Sequence, residues 1–516
     1  MTGAAANANI AARLAERAAA HPRRPAVIDR KERLDFGELA GRVARAGGAL
    51  RGSGVGADDG VLIFVPMSAS LYVTLLGALH AGGVAVFLDA WATRARLDAA
   101  VRIAAPCAFV GSLRAHLLRL LSGAVRAVPR HFVAGARGLR GEPRAAELRS
   151  GDDPALVTFT TGSTGPPKAA MRSHGFLWAQ HEALAEHLAL REDDIDMPTL
   201  PVFVLNNLAL GVTSVLPDFD PRRPGQVRPE RVLRQIVRER VTTSSGSPAF
   251  YERLARHCEL TGARLPLRAL FTGGAPVLPP LARRLRDVTA GTAHVVYGST
   301  EAEPIAGITV DEMASLADAP GSEGVCVGRP VASVRLRLVR PHDDAIVLGP
   351  GGWGEWLATD GVGEVVVAGR HVLRGYMNDP EGERRNKIRD GGMVWHRTGD
   401  AARLDSDGRL WLMGRVRERV GRSGQVWWPL PAEVRARSVA GVTHAAYLGA
   451  PDDSMGQRTV LCVEADPARA ADLGDALRRA LGDWPVDELR VLRRIPRDPR
   501  HESKTNTEAL RALLGL

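Results

Sequence analysis

The chain has 516 residues, 24% of them charged and 45% hydrophobic, with a net charge of +10 and four cysteines. That length provides ample core and space for several domains, and cysteines scattered without Cys-x-x-Cys spacing argue against a disulfide framework or a zinc site and for a reducing, cytoplasmic compartment. The basic residues form no stripe and are not interleaved with aromatics, so no nucleic acid is expected as a partner, and polyanionic small substrates account for the charge.

Taken in order, the chain opens with an amphipathic helix over Ile10–Ala20, a short strand at 26–28 and a helix over 36–51. No basic-then-apolar signal pattern precedes them. Residues 61–65 have strand length, 68–79 read as a helix and 84–88 as a second strand. The apolar stretch 71–91 is interrupted by His80, Gly82, Gly83 and Asp89, so a buried helix and strand fit it better than a membrane span. The rhythm returns at 107–111 and 155–159. Strands alternating with helices imply a parallel sheet covered on both faces.

The next stretch organises the rest: Thr158-Phe-Thr-Thr-Gly-Ser-Thr-Gly-Pro-Pro-Lys168. Gly162 and Gly165 let the backbone turn its N–H groups inward, and the hydroxyls of Thr160, Thr161, Ser163 and Thr164 add donors, which makes a phosphate cradle. It is not the Walker pattern, because the glycine spacing is shorter and no Ser or Thr follows the lysine. Lys168 is one of four lysines against sixty-four arginines. Where arginine serves every general purpose, a retained lysine suggests a compact ammonium aimed at a single phosphate oxygen. Lys168 and Lys504 attract that reading. Lys31 and Lys387, in charged surroundings, are expected to be solvated.

A helix is expected over 174–190. The apolar run 200–211, with Asn206 and Asn207, is either core or a substrate-facing wall, and 217–224 is a loop. Residues 244–249 are expected to open a helix with capping serines. Leu270-Phe-Thr-Gly-Gly-Ala-Pro276 and Val295-Val-Tyr-Gly-Ser-Thr-Glu301 each run from strand into glycine turn, which places both on one ligand-binding rim of the sheet. From Gly324 the pattern shifts to short strands at 334–339, 363–367 and 372–376, a small β subdomain. Two strands around Arg397-Thr-Gly-Asp400 and Gly414-Arg415 lead to a hinge near Arg417. Residues 417–516 then form a compact α/β unit, set apart from 1–416.

Together these segments resemble the acyl-adenylate-forming superfamily, which contains acyl-CoA synthetases, luciferases and peptide-synthetase adenylation domains. The resemblance covers nearly the whole chain through six pieces in order: 160–168, Gly273-Gly-Ala275, Tyr297-Gly-Ser-Thr-Glu301, Arg397-Thr-Gly-Asp400, Gly414-Arg415 and Lys504. It implies an α/β fold with a large N-terminal domain and a small mobile C-terminal domain. ATP and a carboxylic acid, fatty or hydroxylated, would meet at their interface to give acyl-AMP and pyrophosphate. By the same resemblance the 160–168 loop holds the β- and γ-phosphates, Thr300 contacts the α-phosphate and Glu301 binds Mg²⁺. Tyr297 stacks on adenine beside Gly273, Gly274 and Ala275, with Gly298 and Ser299 adjoining, and Asp400 binds the ribose with Arg415 nearby. Phe203, Asn206 and Gly273 line the acid pocket. Lys504 bridges carboxylate and α-phosphate, Arg417 is the pivot, and Gly424 lines a tunnel for a thiol.

The second nucleophile stays open. Pro201-Val-Phe-Val204 keeps the aromatic of a gating pair but has valine in place of histidine, and this, with the loop 218–224 and 500–504, resembles OleC-like β-lactone synthetases, which close a ring through the substrate's own 3-hydroxyl without CoA. CoA or a carrier-protein thiol remains the other reading, nitrite activation a rarer one, and a homodimer is open. The reading from another class is a basic anion- or nucleic-acid-binding protein on a degenerate ligase scaffold.

Overall fold

The computed structural model describes residues 7–88, 92–135, 138–160, 168–220, 226–317, 319, 322–358, 361–498 and 504–516. The expected strand-helix alternation is present. Val61, Leu62 and Ile63 are wholly buried in the strand Gly60–Phe64, and its parallel neighbours Val84–Phe87 and Ala108–Gly111 are equally apolar. Runs like these suit strands covered on both faces. They belong to a seven-stranded sheet in which Pro154–Thr160 lies parallel to Val84–Phe87.

A strand that sequence patterning did not indicate begins at Lys168. Lys168–Ser173 runs antiparallel to Pro154–Thr160, and the helix His174–Leu188 begins only after Ser173 caps it. The run 200–211 is a helix, Pro201–Leu210, with proline in its first turn and Gly211 left-handed at its end.

Among the described residues the second sheet has fourteen strands, thirteen in one hydrogen-bonded path and Lys387–Asp390 off it, paired with Met393–Leu404. Thr243–Gly246, Ala269–Gly273 and Thr292–Ser299 are parallel at its centre, and Ala302–Thr309 turns back antiparallel. The β-rich region beyond Gly324 joins this path through Val325–Pro330, which pairs with Ala302–Thr309 and Leu410–Arg415. Two local expectations change. Ser244 and Ser245 are buried inside a strand, and Ser247 alone caps the helix Pro248–Thr261. Of 372–376, only Tyr376 enters a strand, Tyr376–Met377, while Val372 makes a single bridge to Ala302.

The third sheet, of five strands, is built within 420–492 and carries its own apolar cluster around Tyr447, Leu461 and Leu477. The helix Pro429–Arg437 seats Leu430 in the large sheet's core, and Arg435 reaches Glu323 at 3.4 Å. Among the described residues, no helix is long and apolar enough to cross a membrane.

Candidate active site

Two neighbouring parallel strands, Ala269–Gly273 and Thr292–Ser299, end on one rim. Gly273 is required there because a Cβ would stand 2.3 Å from the Val296 carbonyl oxygen. Gly274 has φ +78° and nothing within 4 Å of where its Cβ would be, so with Ala275 it leaves an open backbone ledge one residue in register from Tyr297. Beneath the rim, Phe203 packs with Phe271 and Val296. Asn206, on the same helix, instead bonds His181 Nδ1 through Oδ1 at 2.8 Å, and its buried Nδ2 has no partner among the described residues.

Asp400 and Arg415 face each other as a register pair on adjacent strands. Arg415 donates to Asp400 Oδ1 at 2.8 Å, and the Tyr297 hydroxyl donates to Oδ2 at 2.7 Å. Burial, reinforced by the Asp400 charge, raises the Tyr297 phenol well above its ordinary value, so it keeps its proton and donates. Thr398 orients the same carboxylate's backbone, its Oγ1 accepting the Asp400 N–H at 3.1 Å.

The second half of the site lies where the two large sheets meet. Ser299 Oγ accepts the Glu301 N–H at 3.2 Å, and Gly298 allows Ala302 and Glu303 to fold back closely. The Thr300 carbonyl accepts a bond from Arg172 at 2.7 Å, while the other arm of that guanidinium reaches Thr158 Oγ1 at 2.9 Å. Arg172 thus ties the strands Pro154–Thr160 and Lys168–Ser173 to the turn carrying Thr300 and Glu301. Burial would raise the Glu301 carboxyl, yet neighbouring positive charge holds it below the ordinary range. Burial pushes His396 down to about 3 and Lys387 down to about 7, with Glu301 opposing in each case, and the Tyr376 hydroxyl adds a hydrogen bond to the carboxylate.

Lys168 begins its strand with its ammonium 5.2 Å from the Tyr376 ring centroid. Burial lowers its pKa, and Asp379 and Glu301 oppose that. The residues 161–167, which include Thr161, Gly162, Ser163, Thr164 and Gly165, lie outside the described residues, and of Thr160 only the strand position is described. Lys504 is half-buried beside the bridge that joins Arg497 to Thr505, and its carbonyl accepts the Asp498 N–H at 2.8 Å. Arg417 is exposed in a short 3-10 turn, and Gly424 (φ +78°) sits in the exposed turn between Val420–Arg422 and Gln425–Trp427.

Three residues here escaped the sequence reading. Lys387, expected to be solvated, is 5% exposed. Its ammonium donates to the Leu373 carbonyl and lies 5.1 Å from the Tyr376 ring. The lysine scarcity that singled out Lys168 applied equally to it. Tyr376 donates to Glu301 Oε1 at 3.0 Å, and Glu303, buried beside Arg172, is pushed up to about 7.

These residues fit a nucleotide and a phosphate-bound cation. The Gly274 ledge has room for a flat ring, and Asp400 offers acceptor oxygens nearby. Among the described residues no group of three or more His, Cys, Asp or Glu could hold a metal by itself. A lone carboxylate such as Glu301 suits Mg²⁺, whose shell is otherwise completed by phosphates and water.

Comparison with known proteins gives the family and the fold. The family model described as AMP-binding enzyme matches residues 14–377. An olefin beta-lactone synthetase of Stenotrophomonas maltophilia is 32% identical over 97% of this chain and 97% of its own. A feruloyl-CoA synthase of an Amycolatopsis species is 32% identical over 88% of each chain. Among solved structures, ATP-bound MatB of Rhodopseudomonas palustris superposes with a TM-score of 0.82 at 24% identity, covering 98% of this chain and 99% of that one.

Proposed function

The chain belongs to the AMP-binding enzyme family, and from that premise we propose that its rim of strand ends activates a carboxylic acid, fatty or hydroxylated, with ATP. It is an AMP-forming ligase. A carboxylate oxygen attacks the α-phosphorus, the bond from that phosphorus to the bridging oxygen breaks, and pyrophosphate leaves with the electron pair. The observation that carries this reading is the Tyr297–Asp400–Arg415 constellation, set beside the open ledge at Gly274. Adenine would rest on the ledge against Tyr297, with the ribose hydroxyls donating to Asp400. Gly298, Ser299 and Thr300 would line the path to the phosphates, Thr300 at the α-phosphate.

The turn 160–168 would grip the outer phosphates, with Lys168 as the charged member. Glu301 would hold Mg²⁺, which when bound neutralises phosphate charge. Lys504 would supply the ammonium that meets charge building between carboxylate and α-phosphate. Residues 1–416 and 417–516 would be the two domains, with Arg417 as pivot, so that Lys504 withdraws and Gly424 approaches for the second step. Phe203, Asn206 and Gly273 would border the acid. Four cysteines without disulfides favour a reducing cytoplasm.

CoA or a carrier thiol is one acceptor for the acyl group. Lactone closure by a 3-hydroxyl on the substrate is the other: the resemblance to β-lactone synthetases puts valine, Val204, in place of a gating histidine, and that side chain is wholly buried in the apolar core. The test is ATP–pyrophosphate exchange with a panel of acids, followed by mass analysis of products from a 3-hydroxy acid with and without CoA. Exchange with no acid, or exchange surviving K504M, would overturn the reading.

A further inference from the structure

Lys387 occupies a place where an ammonium is costly. It begins the strand Lys387–Asp390 almost fully buried, and an aliphatic side chain would fill that space without losing hydration. Both of its contacts end on one short stretch, the Leu373 carbonyl and the Tyr376 ring. That stretch grips Glu301 twice. The Leu373 N–H donates to the Glu301 carbonyl at 2.7 Å, and the Tyr376 hydroxyl donates to the carboxylate at 3.0 Å. Tyr376 is itself fixed, its N–H donating to Glu383 Oε1 at 3.1 Å and its strand pairing with Ala170 in the strand that Lys168 begins.

We propose that Lys387 is a positioning residue: by locking the 373–376 stretch against Glu301, it aims that carboxylate at the phosphate-bound cation. Lys387 is enclosed by protein, with its ammonium on the Leu373 carbonyl and the Tyr376 ring. It acts through Tyr376, whose ring also lies 5.2 Å from the Lys168 ammonium, so one aromatic side chain registers the phosphate-loop lysine and the acidic turn together. The inference rests on reading Glu301 as the Mg²⁺ contact.

The test compares full-length wild type with K387M, Y376F and E301Q. Three quantities are read: the Mg²⁺ concentration for half-maximal ATP–pyrophosphate exchange, Mn²⁺ binding with a non-hydrolysable ATP analogue by electron paramagnetic resonance, and AMP affinity by calorimetry without metal. K387M and Y376F are expected to weaken metal binding and raise the Mg²⁺ requirement about tenfold, the usual cost of removing a partner behind a metal ligand. AMP affinity should stay within about twofold, since AMP lacks the outer phosphates. Unchanged metal dependence with only a lower melting temperature makes Lys387 merely structural, and equal loss of AMP and metal affinity makes the damage general; either overturns the inference. If K387M does not fold, Y376F decides, because it removes only the hydroxyl on Glu301. An E301Q enzyme with wild-type metal dependence refutes the Glu301 reading itself, whereas a shift in E301Q alone refutes only the role of Lys387.

Discussion

The Tyr297 hydroxyl donates to Asp400 at 2.7 Å across 103 residues of sequence, joining the central strand of the large sheet to a strand of its β-rich extension. One oxygen of Asp400 takes that bond and the other takes Arg415, so the carboxylate is held from both sides. A hydrogen bond to a charged group contributes about 1.5–3 kcal/mol. Y297F should therefore raise the KM for ATP about tenfold or more, with a smaller change in kcat, while D400A should cost more because it also leaves Arg415 without its carboxylate. Steady-state exchange kinetics across ATP concentrations separate these. A Y297F enzyme with wild-type KM would show that the bond has no bearing on nucleotide binding.

The two glycines of the rim should respond differently to the same methyl group. At Gly273 a Cβ would meet the Val296 carbonyl oxygen at 2.3 Å, so G273A must displace a strand and is expected to lower the melting temperature by several degrees. At Gly274 the space is open and only the left-handed backbone resists, at about 1 kcal/mol. G274A should fold well yet bind AMP weakly, because its methyl stands on the ledge. Calorimetric AMP titration beside a thermal melt distinguishes them, and G274A binding AMP as wild type does would take the adenine off that ledge.

The parallel core was readable because strands buried on both faces must be apolar throughout, as in Gly60–Phe64 and Val84–Phe87. The strand Lys168–Ser173 was not, because Lys-Ala-Ala-Met-Arg-Ser lacks that signature and owes its pairing to the neighbours it meets after the loop. The helix Pro201–Leu210 hid behind valines and asparagines with weak helical preference, although Pro201 and Gly211 marked its ends. The glycine turns, Tyr297 and Asp400 were legible as local motifs, but Tyr376 and Lys387 act through burial. Lys387 follows Arg384 and Arg385 in sequence and looks solvated, and only the fold shows that it turns inward toward Leu373.

Lys504 belongs to a segment bridged to Arg497 through Thr505, whose hydroxyl lies 3.0 Å from His444 Nε2. Two residues after Thr505, the Thr507 hydroxyl donates to Glu418 Oε1 at 3.1 Å, so the element next to the lysine is tied to the residue after Arg417. K504M should lower acid-dependent pyrophosphate exchange by at least about a hundredfold, the scale of losing one preorganised charge at a transition state. Supplied with synthetic acyl-AMP, the same variant should still complete the second step at close to wild-type rate. Loss of both half-reactions would make Lys504 a structural residue of its segment.

Glu433 gives the last prediction its sign. It lies on the helix Pro429–Arg437, accepts the Tyr447 N–H at 3.1 Å, and is raised to about 8 by burial and by the Glu418 charge, with that hydrogen bond and Arg437 opposing. In the unfolded chain the same carboxyl titrates near 4.5. Between those values the native state keeps a proton that the unfolded state has released, so stability falls as pH rises from about 4.5 to about 8. E433Q keeps the shape of the protonated acid and removes the titration. It should match wild type at pH 4.5 and exceed it at pH 8 by on the order of 1–2 kcal/mol, a figure reduced for the part of the residue that water still reaches. Thermal melts at the two pH values, with hydrogen exchange at the Tyr447 amide, check this. A variant less stable than wild type at pH 8 would mean that Glu433 is ionised in the folded protein and held by Arg437.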